Sequence, residues 1–167
     1  MFEQKIFRIP AFIPENKSKA IKFKENGNKL LVKGKYEDAI KEYTSGIDLD
    51  NENPHLFANR GWAKFKKEAY AEAEEDFSEA LVLDPLYQKV IKRRAQTRFI
   101  LKKFTSAEED VRRAIKISPT DKEARVMLEK ILHPERFVND QKKDYPYDLN
   151  PIKKPTGVIL KNYLRVT

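Results

Sequence analysis

Three short stretches of this sequence carry cations and amides at helical spacing. Lys24 and Asn28 stand four apart in KENGN, Asn59 lies in FANRGWAKF, and Lys89 and Arg93 stand four apart in QKVIKRR. Residues at i and i+4 share one face of a helix, so each pair can act on one ligand. The chemistry on offer is recognition of an anion. Lys and Arg side chains only donate hydrogen bonds, an ionised carboxylate only accepts them, and Arg can grip a carboxylate with two parallel bonds. Asn adds a neutral donor without adding repulsion between cations. Any one of these residues alone would read as solvated surface; the set carries the signal.

Nothing comparable points to catalysis. The histidines, His55 and His133, fall in neither a His-Glu-x-x-His spacing nor a triad arrangement. No Gly-rich phosphate loop occurs. The neighbouring acids Glu74-Glu75 and Glu108-Glu109-Asp110 read as solvated outer faces of helices. With no cysteine, disulfides, thiol catalysis and cysteine-ligated metals are excluded. The protein is expected not to be an enzyme, and no cofactor or metal is expected.

The elements that must position the donors are legible as an internal repeat. Gly27, Gly61 and Ala95 are spaced by 34 residues, as are Ala39, Ala73 and Ala107. Tyr43, Phe77 and Val111 follow the same step, as do Gly46, Ala80 and Ala114, while Asn51, Pro85 and Pro119 close each unit. The units cover 20–53, 54–87 and 88–121. Small residues at helix crossings allow close approach, and the larger column fills the space beside them. The pattern predicts A helices over 20–33, 54–67 and 88–102 and B helices over 36–48, 70–82 and 105–117. Gly34-Lys35 supplies the first turn. Thr120 or Asp121 can cap a seventh helix over 121–132, whose stripe Ala124, Met127, Leu128, Ile131 and Leu132 would close the open end of the stack.

These columns resemble the tetratricopeptide repeat (TPR) family over about 20–133. The resemblance implies an all-α TPR solenoid of three helix-turn-helix repeats plus a C-terminal capping helix, seven helices in all, with irregular N- and C-terminal extensions at 1–19 and 134–167. In such stacks the A helices line a concave face. The set Lys24, Asn28, Asn59, Lys89 and Arg93 resembles the two-carboxylate clamp of co-chaperone TPR domains, which bind the C-terminal Glu-Glu-Val-Asp of the 90-kDa and 70-kDa heat-shock chaperones. The resemblance implies that Lys24, Asn28 and Asn59 hold the terminal main-chain carboxylate, while Lys89 and Arg93 hold the aspartate side chain. Trp62 departs from the small residue common there. It would narrow the pocket for the peptide's valine or wall it, unless it packs between helices. Leu31, Phe65, Lys66 and Phe99 are neighbouring candidates for peptide side-chain contacts.

The formal net charge is +8, but its placement matters more than its size. Lys89, Lys92, Arg93, Arg94, Arg98, Lys102 and Lys103 form a run without acids, and Glu72, Glu74, Glu75, Asp76 and Glu79 a run without bases. The basic third A helix offers an alternative as an RNA or anionic-surface binder. With aromatic interleaving limited to Phe99, nucleic acid is disfavoured. A scaffold for acidic internal segments is the other alternative. No stretch approaches the roughly 18 apolar residues of a membrane span. The start, MFEQKIFRIPAFIPE, lacks a signal peptide's apolar run and cleavage site. A cytosolic or nuclear location is expected. The tail 134–167 is broken by Pro146, Pro151 and Pro155. Its ending, VILKNYLRV, could add as a strand to a second protein partner. A short TPR domain with such a tail also resembles the spaghetti-type, RNA-polymerase-associated co-chaperones.

Overall fold

The computed structural model describes residues 15–133; residues 1–14 of the N-terminal extension and the C-terminal tail, with the expectations made for them, lie outside the described residues. Seven helices and no strand occupy this stretch: α1 Glu15–Val32, α2 Tyr36–Leu49, α3 Pro54–Lys66, α4 Tyr70–Leu83, α5 Gln88–Ile100, α6 Phe104–Ile117 and α7 Lys122–Leu132. The all-α fold of paired helices is the one expected. The main difference is at the start, where α1 begins at Glu15 rather than 20. Glu15 suits the positive end of the helix, and it pairs one turn on with Lys19 at 2.7 Å. Asn53 caps α3 by accepting from the His55 N–H at 3.1 Å, with Pro54 in the first turn. Asp121 caps α7 by accepting from the Ala124 N–H at 3.1 Å.

Each A helix turns into its B helix in the same way. Gly34, Glu68 and Lys102, again 34 apart, all take left-handed backbone, with φ of 73°, 65° and 61°. The next residue's N–H then reaches back: Lys35 to Leu30 O at 3.0 Å, Ala69 to Lys64 O at 3.0 Å, and Lys103 to Arg98 O at 2.8 Å. Only the first turn uses glycine, so the other two hold a side chain in a conformation that L residues disfavour. This feature was not legible at Glu68 and Lys102, whose residue types do not announce it.

The chain divides into two compact units, with the boundary between Val90 and Ile91 inside α5. In the first unit, α1 packs on α2, α2 on α3 and α3 on α4. Ala20, Ala39, Tyr43, Leu56 and Ala63 form its buried cluster, with Leu30, Leu31 and Ile40 against it. The small column does what the spacing implied. A Cβ on Gly27 would lie 2.6 Å from the Tyr43 ring, and one on Gly61 would lie 2.9 Å from the Phe77 ring. In the second unit α6 packs on α7, and Ala95, Ala107, Val111, Ala114, Ala124 and Ile131 are buried. Lys92 joins α5 to the head of α7 through Asp121 at 2.9 Å and Glu123 at 2.7 Å.

Two stability measurements follow from this architecture. Glu68→Gly should stabilise the protein by about 0.5–1 kcal/mol in urea or thermal unfolding, because relief of left-handed strain outweighs the added chain entropy. The second concerns the Lys92–Asp121 pair. Burial raises the Asp121 carboxyl, but the hydrogen bond from Lys92 and the capped backbone outweigh it, leaving its pKa below the usual carboxylate value. For Lys92 burial again opposes, and its hydrogen bonds to Glu123 and Asp121 leave its pKa raised. The Asp121 contribution is therefore present above the unfolded carboxylate pKa of about 3.9 and is lost as pH falls through the folded value. Asp121→Asn keeps a capping oxygen and removes the charge. It should lower stability by about 1 kcal/mol at neutral pH, with the gap from wild type narrowing as pH falls below the unfolded carboxylate pKa and through the lower folded one.

Candidate functional site

Lys24 and Asn28 are one turn apart on α1 and are both half-buried. Asn59 sits on α3, which touches α1 in the first unit. There the Asn59 amide nitrogen donates to the Asn28 side-chain oxygen at 2.9 Å. The Tyr43 hydroxyl, from α2, donates to the same oxygen at 2.8 Å. Two residues that the resemblance assigns to one anion are thus in direct contact, and a third, Tyr43, joins them from the scaffold column. Lys24 has neither an ion-pair partner nor a hydrogen-bond partner among the described residues. Lys89 is exposed near the start of α5, in the first unit, and Arg93 is half-buried one turn further along that helix, in the second.

The residues expected to meet peptide side chains divide by environment. Trp62 stacks on Phe65 with ring centroids 5.0 Å apart and planes 11° apart. The Lys66 ammonium lies 5.1 Å over the Trp62 ring, a cation–π contact. Phe65 is only 7% exposed and meets Tyr70 edge-on at 5.3 Å, so it backs the indole rather than offering much surface. Trp62 itself is half-buried. Phe99 repeats the Phe65 pattern with Phe104, edge-on at 5.5 Å. Leu31 packs against the core of the first unit.

The basic run on α5 has a different character from the one its sequence suggested. The Arg94 guanidinium makes two bonds to Asp110, Nε to Oδ2 at 2.9 Å and a terminal nitrogen to Oδ1 at 2.7 Å. Arg98 adds a third to Asp110 at 2.9 Å. Lys92 is held by Asp121 and Glu123. Three cations of the run therefore face acids of their own unit, which undercuts a stripe open to phosphates.

This ion cluster is itself a repeat feature. One repeat earlier, Arg60 grips Asp76 with bonds of 3.0 and 2.7 Å, and Lys64 adds a contact at 3.0 Å. The aspartates are almost fully buried, so each needs its cations. In the first repeat the matching positions hold Asn26, Leu30 and Glu42. The Glu42 Oε2 atom is buried with no hydrogen-bond partner among the described residues. The expectation that Asp110 lies on a solvated outer face is therefore corrected: it stands 34 residues after Asp76, and like it is buried against the cations of its own A helix.

The histidines have local roles. His55 Nδ1 lies 2.9 Å from the Tyr87 hydroxyl, and His133 ends α7 with Nε2 3.9 Å from Glu129. Among the described residues no cluster of three or more His, Asp or Glu is arranged to hold a metal, and no helix is long and apolar enough to cross a membrane.

Comparison with known proteins gives consistent matches. The family profile described as TPR repeat matches residues 27–68. The RNA polymerase II-associated protein 3 of Rattus norvegicus is 50% identical over 48 residues, 29% of this chain and 7% of that protein. The human protein of the same name matches over the same length. The chain thus spans a small fraction of these curated relatives. Among solved structures, the first TPR of Spaghetti (RPAP3) bound to the HSP90 peptide SRMEEVD is 39% identical, with a TM-score of 0.69 over 72% of this chain and 95% of that one. The second TPR domain of human RPAP3, in complex with the HSP70 peptide SGPTIEEVD, is 40% identical, with a TM-score of 0.67 over 70% of this chain and 97% of that one.

Removing the shared acid of an ion cluster tests how much the α5 cations depend on it. Asp110→Ala leaves Arg94 and Arg98 without their buried partner and should destabilise the protein by about 3–5 kcal/mol in chemical denaturation.

Proposed function

The chain belongs to the tetratricopeptide repeat family, and from that premise we propose that it is a co-chaperone adaptor that binds the C-terminal Glu-Glu-Val-Asp tail of a heat-shock chaperone. Lys24, Asn28 and Asn59 hold the terminal main-chain carboxylate, and Lys89 and Arg93 hold the side chain of the final aspartate. The observation that carries this reading is the Asn28–Asn59 bond, which unites donors from two A helices beside Lys24. Solved TPR domains similar to this chain support it, since two of them hold peptides ending in Glu-Glu-Val-Asp.

The chemistry favours a free C-terminus. Charge-assisted hydrogen bonds contribute roughly 1.5–3 kcal/mol each, and four or five of them must offset an association cost of roughly 4–15 kcal/mol. The result is an affinity around micromolar, suited to a partner that comes and goes. The adaptor reading needs no catalytic group and no cofactor. It agrees with a cytosolic or nuclear setting and a chain without cysteine. The tail 134–167 is left as the segment for a second protein partner.

Calorimetry with a Met-Glu-Glu-Val-Asp peptide tests the reading. The free acid should bind and the C-terminal amide should bind far more weakly; equal affinity for both would exclude a carboxylate clamp and favour a scaffold for internal acidic segments. Arg93→Ala and Lys89→Ala should each weaken the free acid by roughly 1.5–3 kcal/mol.

A further inference from the structure

We infer that Tyr43 is a positioning residue for the proposed carboxylate site: its hydroxyl fixes the Asn28 amide so that only N–H donors face the ligand. The inference rests on the clamp reading above and adds to it a residue from the scaffold. The Asn28 side-chain oxygen has two lone pairs. One accepts from Tyr43 at 2.8 Å and the other from Asn59 at 2.9 Å. With both acceptor sites occupied, what Asn28 can still offer is its NH2 group.

That orientation matches the ligand chemistry. A terminal carboxylate brings only acceptors and meets only donors. A C-terminal amide brings N–H groups of its own, which find no acceptor on Asn28. A buried polar group left without a partner weakens binding, so the fixed amide discriminates against the wrong terminus as well as favouring the right one.

The placement of Tyr43 makes the lock stiff. Tyr43 is fully buried in the first unit. Its ring lies against Gly27, where a Cβ would come within 2.6 Å, so α1 and α2 approach closely enough for the hydroxyl to reach the residue after Gly27. The fold itself does not need the hydroxyl. The equivalent positions 34 and 68 residues on are Phe77 and Val111, both fully buried and neither able to donate. The positions equivalent to Asn28 are Trp62 and Gln96. The tyrosine occurs in the repeat that carries the asparagine, and in neither of the others.

Tyr43→Phe is the decisive variant, because Phe77 already fills the matching slot. The probe is a Met-Glu-Glu-Val-Asp peptide as free acid and as C-terminal amide, titrated calorimetrically against the full chain. The variant should keep the wild-type melting curve to within a few degrees, weaken the free acid about fivefold and narrow the acid-to-amide ratio. In an Asn28→Ala background the same change should have no further effect on the acid, since the hydroxyl acts through Asn28. An unchanged acid affinity in Tyr43→Phe, or the same fivefold loss with Asn28 already removed, overturns the inference while leaving the clamp standing. Should wild type bind acid and amide equally, the clamp itself fails. The Asn28 side-chain amide resonances of the unliganded protein then judge the lock: a shift on Tyr43→Phe upholds it and unchanged signals overturn it.

Discussion

A missing methyl group at Gly27 lets the Tyr43 ring lie against the first helix, and much of the first unit depends on that contact. A Cβ there would sit well inside van der Waals distance of the ring. The same relation joins Gly61 to Phe77 one repeat later. Close approach gives the buried aromatic many dispersion contacts at once, and it sets the separation of the two helices in each pair. In the first pair it also brings a hydroxyl to Asn28. The packing that forms the scaffold therefore also aims a polar group at the proposed site.

Electrostatics follow the same repeat but serve another end. Arg60 and Lys64 neutralise Asp76, and Arg94 and Arg98 neutralise Asp110, in each case between the A and B helices of one repeat. These groups are buried enough that a lone partner would be costly, so they occur as sets. The first repeat lacks the cations and leaves a Glu42 oxygen unpartnered among the described residues. Most of the positive charge concentrated on α5 is thus structural. The charge proposed to recognise a ligand is a smaller selection: Lys24, Lys89 and Arg93.

Trp62 is the residue at which the sequence departs from the clamp pattern it resembles. Its stack on Phe65 and its contact with Lys66 make a flat aromatic surface one turn along α3 from Asn59. One face is used for packing within α3, and the side chain is still only half-buried.

The sequence alone determined the repeat period and the helix pairs, because each is a matter of residue type at a fixed spacing along one chain, and it offered the donor set as a proposal through its resemblance to the clamp domains. Small, large and apolar residues every 34 positions leave few other folds, and helical spacing groups Lys24 with Asn28 and Lys89 with Arg93. The left-handed turns at Glu68 and Lys102 were not legible, since their residue types do not ask for that backbone; packing of the flanking helices imposes it. Nor was the fate of the basic run, because Asp110 and Asp121 reach it across space from other helices. The role of Tyr43 lay hidden for the same reason. Its position in a core column reads as packing, and only the tertiary contact between α1, α2 and α3 turns its hydroxyl toward Asn28, where a buried donor must find an acceptor.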